Sequence, residues 1–104
     1  MRHSDVILKI GETGKAILPH DSQLYLYGSR ARGDYHQGSD WDLLILLNKR
    51  EITQNDYDYV YEFSKTGAMI DETIVALIYT KQQWEERKGS DFYNNVENDK
   101  VVLL

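Results

Sequence analysis

The sequence predicts an α/β (α+β) domain, a sheet of few strands with helices packed against it, and three observations carry the prediction. Helix-like and strand-like patterns alternate along the chain in the order helix, strand, helix, strand, helix, strand, helix. The run DLLILL at 42–47 is too continuously apolar for a strand with one wet face, so it belongs centrally in a sheet covered on both sides. Finally, the 104 residues contain no repeat, low-complexity tract or Pro/Gly/Ser linker, which reads as a single domain over 1–104.

Each element has a local reason. Ser4 can cap a first helix over roughly 5–17, with Val6, Ile7, Ile10 and Ile17 near one face and Pro19 closing it. Leu24 to Tyr27 reads as a short strand that stops at Gly28. Residues 29–33 begin a short helix, and Gly33 to Ser39 is a loop rich in glycine and polar residues. After the 42–47 strand, Thr53 can cap a helix over about 54–68, with Tyr57, Val60, Tyr61 and Ala68 spaced to form its core face. A strand over about 69–79 follows. Thr80 caps a helix starting KQQWEERK that breaks near Gly89, Ser90 caps a last short helix, and VVLL is either a closing strand or a docked tail.

Composition narrows the function. A hydrophobic content of 41% and a charged content of 28% fit a globular domain rather than a disordered or fibrous chain. The formal net charge of −5 argues against a protein whose task is holding long nucleic acid, since such binding rests on neutralising phosphates. No segment has the apolar run of a signal peptide or a membrane span, and cysteine is absent, so the expectation is a cytoplasmic protein without disulfides or thiolate metal sites.

The chemistry concentrates in GSRARGDYHQGSDWDLLILL, residues 28–47. Gly28 and Ser29 can let backbone amides approach a phosphate, and the Ser29 hydroxyl can donate as well. Arg30 or Arg32 can then neutralise phosphate charge with a guanidinium fork. Asp40 and Asp42 stand two apart at a strand entry, so their side chains share a face about 7 Å apart at the backbone and can converge on a hard cation. Magnesium suits that pair, being held by one or two carboxylates together with substrate phosphates, and two ions could bracket the oxygens of a reacting triphosphate. A dinucleotide-binding loop does not fit, because Arg30 replaces its middle glycine, and a Walker A loop lacks its G-K-[S/T]. Trp41 should point to the opposite face and pack. His3, His20 and His36 show no ligand spacing, and Trp84 and Tyr93 read as core or partner-contact anchors.

Gly28-Ser29-Arg30-Ala31-Arg32-Gly33 followed at the G-S-x10-D-x-D spacing by Asp40-Trp41-Asp42 resembles the minimal nucleotidyltransferase (MNT) domain of the DNA polymerase beta superfamily. Tyr79-Thr80-Lys81-Gln82-Gln83-Trp84 and Phe92-Tyr93-Asn94-Asn95-Val96 are similar to segments of a bacterial subgroup. The resemblance implies a mixed sheet with flanking helices, a polymerase-beta-like fold. Gly28 and Ser29 would hold the triphosphate of ATP or another NTP, and Asp40 and Asp42 would hold Mg2+. It further implies transfer of a nucleoside monophosphate, AMP in the leading reading, to a hydroxyl with loss of pyrophosphate. In bacteria such domains pair with HEPN-domain toxins and some adenylylate a toxin tyrosine, which would make this chain an antitoxin. The superfamily usually has a third carboxylate on a later strand, acting as general base. Here the candidates are Asp71 and Glu72 in MIDETIVALIYT; strand alternation puts Asp71 with Thr73 on one face, and Asp71 is the choice, although alignment on Tyr79 and Trp84 puts the acidic position nearer Thr73. The alternative is a degenerate nucleotide-binding module that neutralises a partner by contact. An antibiotic-modifying transferase is disfavoured by a length that leaves little chain for an acceptor domain, and the small core leaves room for an oligomer or an obligate partner.

Overall fold

The computed structural model describes all residues, Met1–Leu104. Four strands form one mixed sheet in the order β3-β2-β1-β4, where β1 is Gln23–Tyr27, β2 Trp41–Leu47, β3 Ile74–Thr80 and β4 Val101–Val102. Strand β1 pairs antiparallel with β2 and β4, whereas β2 and β3 run parallel. The helices are α1 (His3–Ile17), α2 (Ser29–Arg32), α3 (Tyr57–Met69, after a 3-10 turn at Gln54–Asp56), α4 (Lys81–Glu86) and α5 (Asp91–Asp99). No helix is long and apolar enough to cross a membrane.

The apolar run of β2 is covered on both faces because its alternate side chains enter two separate cores. Trp41, Leu43, Ile45 and Leu47 join Leu24 and Leu26 of β1 and Ile74, Ala76 and Ile78 of β3 against Val6 and Ile10 of α1 and Phe63 of α3. Leu44 and Leu46 face the other way, with Tyr25, Leu77 and Tyr79, beneath Trp84 of α4 and Val96 of α5. At roughly 1.5–3 kcal/mol for each fully buried large side chain, this central strand fixes the sheet more firmly than any other. Gly14, which weakens α1 locally, lets the helix pack closely on the sheet: a Cβ there would stand 2.8 Å from Leu24 Cδ2.

Several local readings are corrected. Helix α1 starts two residues early, at His3, because the Asp5 carboxylate accepts the Arg2 backbone N–H at 3.2 Å, so Ser4 lies inside the helix instead of capping it. On α3 the core side chain is Phe63, flanked by half-buried Tyr59 and Val60, while Tyr57, Tyr61 and Ala68 face solvent. Helix α3 also runs on to Met69, so the third strand begins only at Ile74, after a turn in which Asp71 adopts φ +59°. Thr80 and Ser90 cap as read, accepting from the N–H groups of Gln83 and Tyr93. The end of the chain does both things open to it: Val101–Val102 pair with β1, and the amides of Leu103 and Leu104 bond the Leu24 carbonyl.

Candidate functional site

The chain leaves β1 through Gly28, whose φ of +76° and ψ of −159° form a conformation essentially restricted to glycine. That bend turns the backbone directly into α2. The first intrahelical bonds are donated by Ala31 and Arg32 to the Gly28 carbonyl, so the amides of Ser29 and Arg30 have no backbone partner, as is general for the opening residues of a helix. Gly33, at φ +94°, closes the helix and sends the chain into the loop that returns to β2.

Antiparallel pairing sets Asp42 opposite Tyr27, one residue before Gly28. The two halves of the motif meet there: a Cβ on Gly28 would lie 2.5 Å from Asp42 Oδ2. Asp42 is half-buried, and its carboxyl is raised above the ordinary aspartate range by burial first and the charge of Asp40 second, with the Arg32 guanidinium opposing. Tyr27 responds in kind: burial, then Asp42 and Tyr79, push its phenol up to about 12. Neither Asp40 nor Asp42 belongs to any of the molecule's ion pairs, which run from Arg2–Asp5 to Lys100–Glu97. A pair of mutually repelling carboxylates with no direct ion-pair partner fits a hard divalent cation that completes its shell with phosphate oxygens.

The two arginines part company. Arg30 is buried, and its guanidinium lies 4.5 Å from the ring centres of both Tyr35 and Trp41. Its Nε and Nη2 donate to the Ser39 carbonyl at 3.2 and 3.1 Å, and Nη2 also donates to the Gln37 carbonyl at 3.3 Å. This places it on the Trp41 side of the strand, away from Asp42, which corrects the expectation that it faces phosphate: it ties the loop that delivers Asp40 to the helix that follows Ser29. His3 closes the same cluster, donating from Nε2 to the Arg30 carbonyl at 3.0 Å and stacking on Tyr35. Arg32 is the exposed one, and its charge reaches Asp42.

Asp71 is not brought to the acid pair. With the strand starting at Ile74, alternation does not extend back to it. It instead lines a cavity of about 510 Å³ with Glu72, His3, Arg30, Tyr35 and Trp41, on the face opposite Asp42. The β3 residue in register with Asp42 is Val75, and Thr73 stands before the strand with its carbonyl bonded to the Trp41 amide. No three carboxylate or histidine side chains converge anywhere in the molecule. Sequence reasoning missed Tyr27, Tyr35 and His3, whose roles come from cross-strand pairing and stacking that no local pattern displays. It also missed Asp99, whose carboxylate holds Arg32 at 2.8 Å across 67 residues of chain.

Comparison with known proteins gives the family and the fold. The family model described as a nucleotidyltransferase domain matches residues 9–102. A protein of Methanocaldococcus jannaschii, provisionally named a protein adenylyltransferase, is 30% identical over 82 residues, spanning 78% of this chain and 76% of that one. Among solved structures, a toxin-antitoxin crystallised with AMP-PNP superimposes with a TM-score of 0.65 at 20% identity, over 94% of this chain and 72% of the other. A Sulfolobus solfataricus protein provisionally described as a nucleotidyltransferase gives a TM-score of 0.61 at 23% identity, over 96% and 80%. At these identities the two structures speak to the fold, and they share its mixed sheet with flanking helices.

Proposed function

This chain belongs to the nucleotidyltransferase domain family, and from that premise we propose that it is a Mg2+-dependent adenylyltransferase that modifies a hydroxyl of a partner protein. The observation that supports the reading most is the close approach of the Asp42 carboxylate to Gly28, which sets the glycine turn beside the acid pair. The adenylyl group is supported by the name of the Methanocaldococcus relative, and a protein acceptor by that name and by the toxin-antitoxin neighbour. The acceptor we propose is a tyrosine of a HEPN-domain toxin, with this chain as its antitoxin.

In this mechanism the amides of Ser29 and Arg30 and the Ser29 hydroxyl hold the β- and γ-phosphates of ATP, and Arg32 balances their charge from the exposed side. Asp40 and Asp42 would hold the cation, whose chemistry is to neutralise charge on the phosphates in flight. The acceptor oxygen attacks the α-phosphorus, a new P–O bond forms, the bond to the bridging oxygen breaks, and pyrophosphate leaves with the electron pair. Val75 occupies the β3 position beside Asp42, so β3 supplies no base there, and the acceptor proton passes to solvent water or to a base of the partner protein.

Incubating the chain with α-labelled ATP, Mg2+ and a candidate HEPN-domain protein tests this. Label on the partner's tyrosine is the expected result, and Asp42→Ala should remove it. Absence of transfer from any nucleotide, with ATP still bound, would overturn catalysis. The apolar Val75 in register with Asp42 favours a second reading, neutralisation of the partner by contact alone; neutralisation that survives Asp40→Ala with Asp42→Ala would establish that one.

A further inference from the structure

We propose that Asp99, the last residue of α5, is a positioning residue of the nucleotide subsite that holds the Arg32 guanidinium ready for phosphate. This rests on the nucleotide-binding reading above and goes beyond it by bringing the C-terminal helix into the site.

Arg32 follows the Gly28-Ser29 turn and is gripped from two sides. Its Nε donates to Asp34 Oδ2 at 3.2 Å and its Nη1 to Asp99 Oδ2 at 2.8 Å. The grip on Asp99 is the firmer one, since the Asp99 side chain is 16% exposed against 64% for Asp34. A guanidinium carries five N–H groups in a rigid plane, so with Nε and Nη1 each giving one to a carboxylate, three remain for a further oxygen ligand. An arginine already immobilised loses less side-chain entropy when a phosphate docks, which is how preorganisation raises affinity.

Two further facts set Asp99 apart from an ordinary surface ion pair. A carboxylate in the last turn of a helix opposes the helix dipole, and the cation at that end, the cap residue Lys100, is taken by Glu97 at 2.8 Å rather than by Asp99. The residue is thus locally unfavourable for the helix that carries it, the kind of conflict that marks a position kept for another purpose. The same helix also reaches the site at its other end, where Phe92 meets Tyr27, the cross-strand partner of Asp42, edge-on at 5.8 Å.

The test is Mg-ATP titration by calorimetry, with transfer kinetics, on the full chain and the Asp99→Asn variant. The Kd and KM for Mg-ATP should rise about tenfold in Asp99→Asn, with kcat at saturating nucleotide little changed and a melting temperature no lower than that of the parent. Asp99→Glu should recover most of the affinity. In an Arg32→Ala background, Asp99→Asn should add nothing. Unchanged Kd in Asp99→Asn, or a penalty that persists without Arg32, overturns the proposal. A parent chain that binds no Mg-ATP overturns the nucleotide reading itself, which keeps the two failures apart.

Discussion

Gly28→Ala adds one methyl group where the phosphate turn touches the acid pair, and its two consequences can be measured separately. The first is strain: φ +76° with ψ −159° is disfavoured for any residue with a Cβ, at about 1–3 kcal/mol. For a domain of this size that corresponds to a melting-temperature loss of roughly 5–20 °C. The second is displacement. The new Cβ would lie 2.5 Å from Asp42 Oδ2, and real Cβ atoms essentially never approach another atom within 3.0 Å, so the carboxylate must retreat by about 0.5 Å or more. Magnesium tolerates little departure from its octahedral geometry, and metal sites are defined to about 0.2 Å. Mg-ATP affinity should therefore fall at least tenfold, about 1.4 kcal/mol, by calorimetry. Gly33→Ala is the control, because φ is +94° there but a Cβ would meet nothing within 4 Å. It should lose comparable thermal stability while keeping nucleotide affinity. Wild-type affinity in Gly28→Ala, or equal loss in both variants, would refute the claim that turn and acid pair form one site.

Two further outcomes follow from the same geometry. Arg30→Lys leaves the Ser39 and Gln37 carbonyls short of donors and removes a flat cation from between two rings, so urea denaturation should show a loss of about 1–3 kcal/mol, with weaker Mg2+ binding as Asp40 loosens. Asp42→Asn should abolish transfer yet raise the melting temperature at pH 7. The sign follows from the raised carboxyl, caused first by burial and then by Asp40. An acid that holds its proton more tightly when folded contributes its stability below the unfolded pKa and loses it as pH rises through the folded one. Ionised Asp42 therefore opposes folding at neutral pH, and melting curves of the two proteins should converge in acid. A variant less stable than the parent at pH 7 would contradict this.

What could be read in the sequence depended on how far each feature reached along the chain. DLLILL displayed its two-sided burial openly, because a central strand next to a parallel neighbour needs apolar side chains on both faces. The G-S-x10-D-x-D spacing likewise lay within one stretch, and the contact of Gly28 with Asp42 is its folded form. The errors arose where tertiary packing overrode a local pattern. Tyr57 and Tyr61 have helical spacing, but the face turned to the sheet is Phe63 with Tyr59 and Val60 beside it, and the two expected tyrosines stand in solvent. MIDETIVALIYT reads as one long strand, yet α3 persists to Met69 and is closed by bonds from the amides of Ile70 and Glu72 to the Gly67 carbonyl, which removes Asp71 from the alternation. Arg30 and Arg32 are indistinguishable in sequence; which one is swallowed depends on Tyr35 and Trp41 closing over it.

The position beside Asp42 on β3 tells what this site lacks. Val75 pairs with Asp42 in parallel register, so its side chain shares that face, and it is 40% exposed. Neighbouring strands lie about 4.8 Å apart, close enough for a carboxylate at 75 to join Asp40 and Asp42 around one cation. Val75→Asp should therefore behave in opposite ways with and without metal. Alone, a third negative charge next to an already strained pair should cost about 1 kcal/mol at pH 7, since like charges on paired strands repel. With Mg2+ present that loss should reverse, and the melting temperature should rise above that of the parent under the same conditions. If the parent transfers slowly because no group beside Asp42 takes the acceptor proton, turnover should also increase, by at least tenfold and toward the roughly hundredfold that a positioned base contributes. Val75→Asn, of similar size but uncharged, should do neither. A Val75→Asp variant that binds Mg2+ more tightly yet transfers no faster would mean that the proton is taken elsewhere, by the acceptor protein itself, and that Val75 is the residue a shared active site would leave at this position.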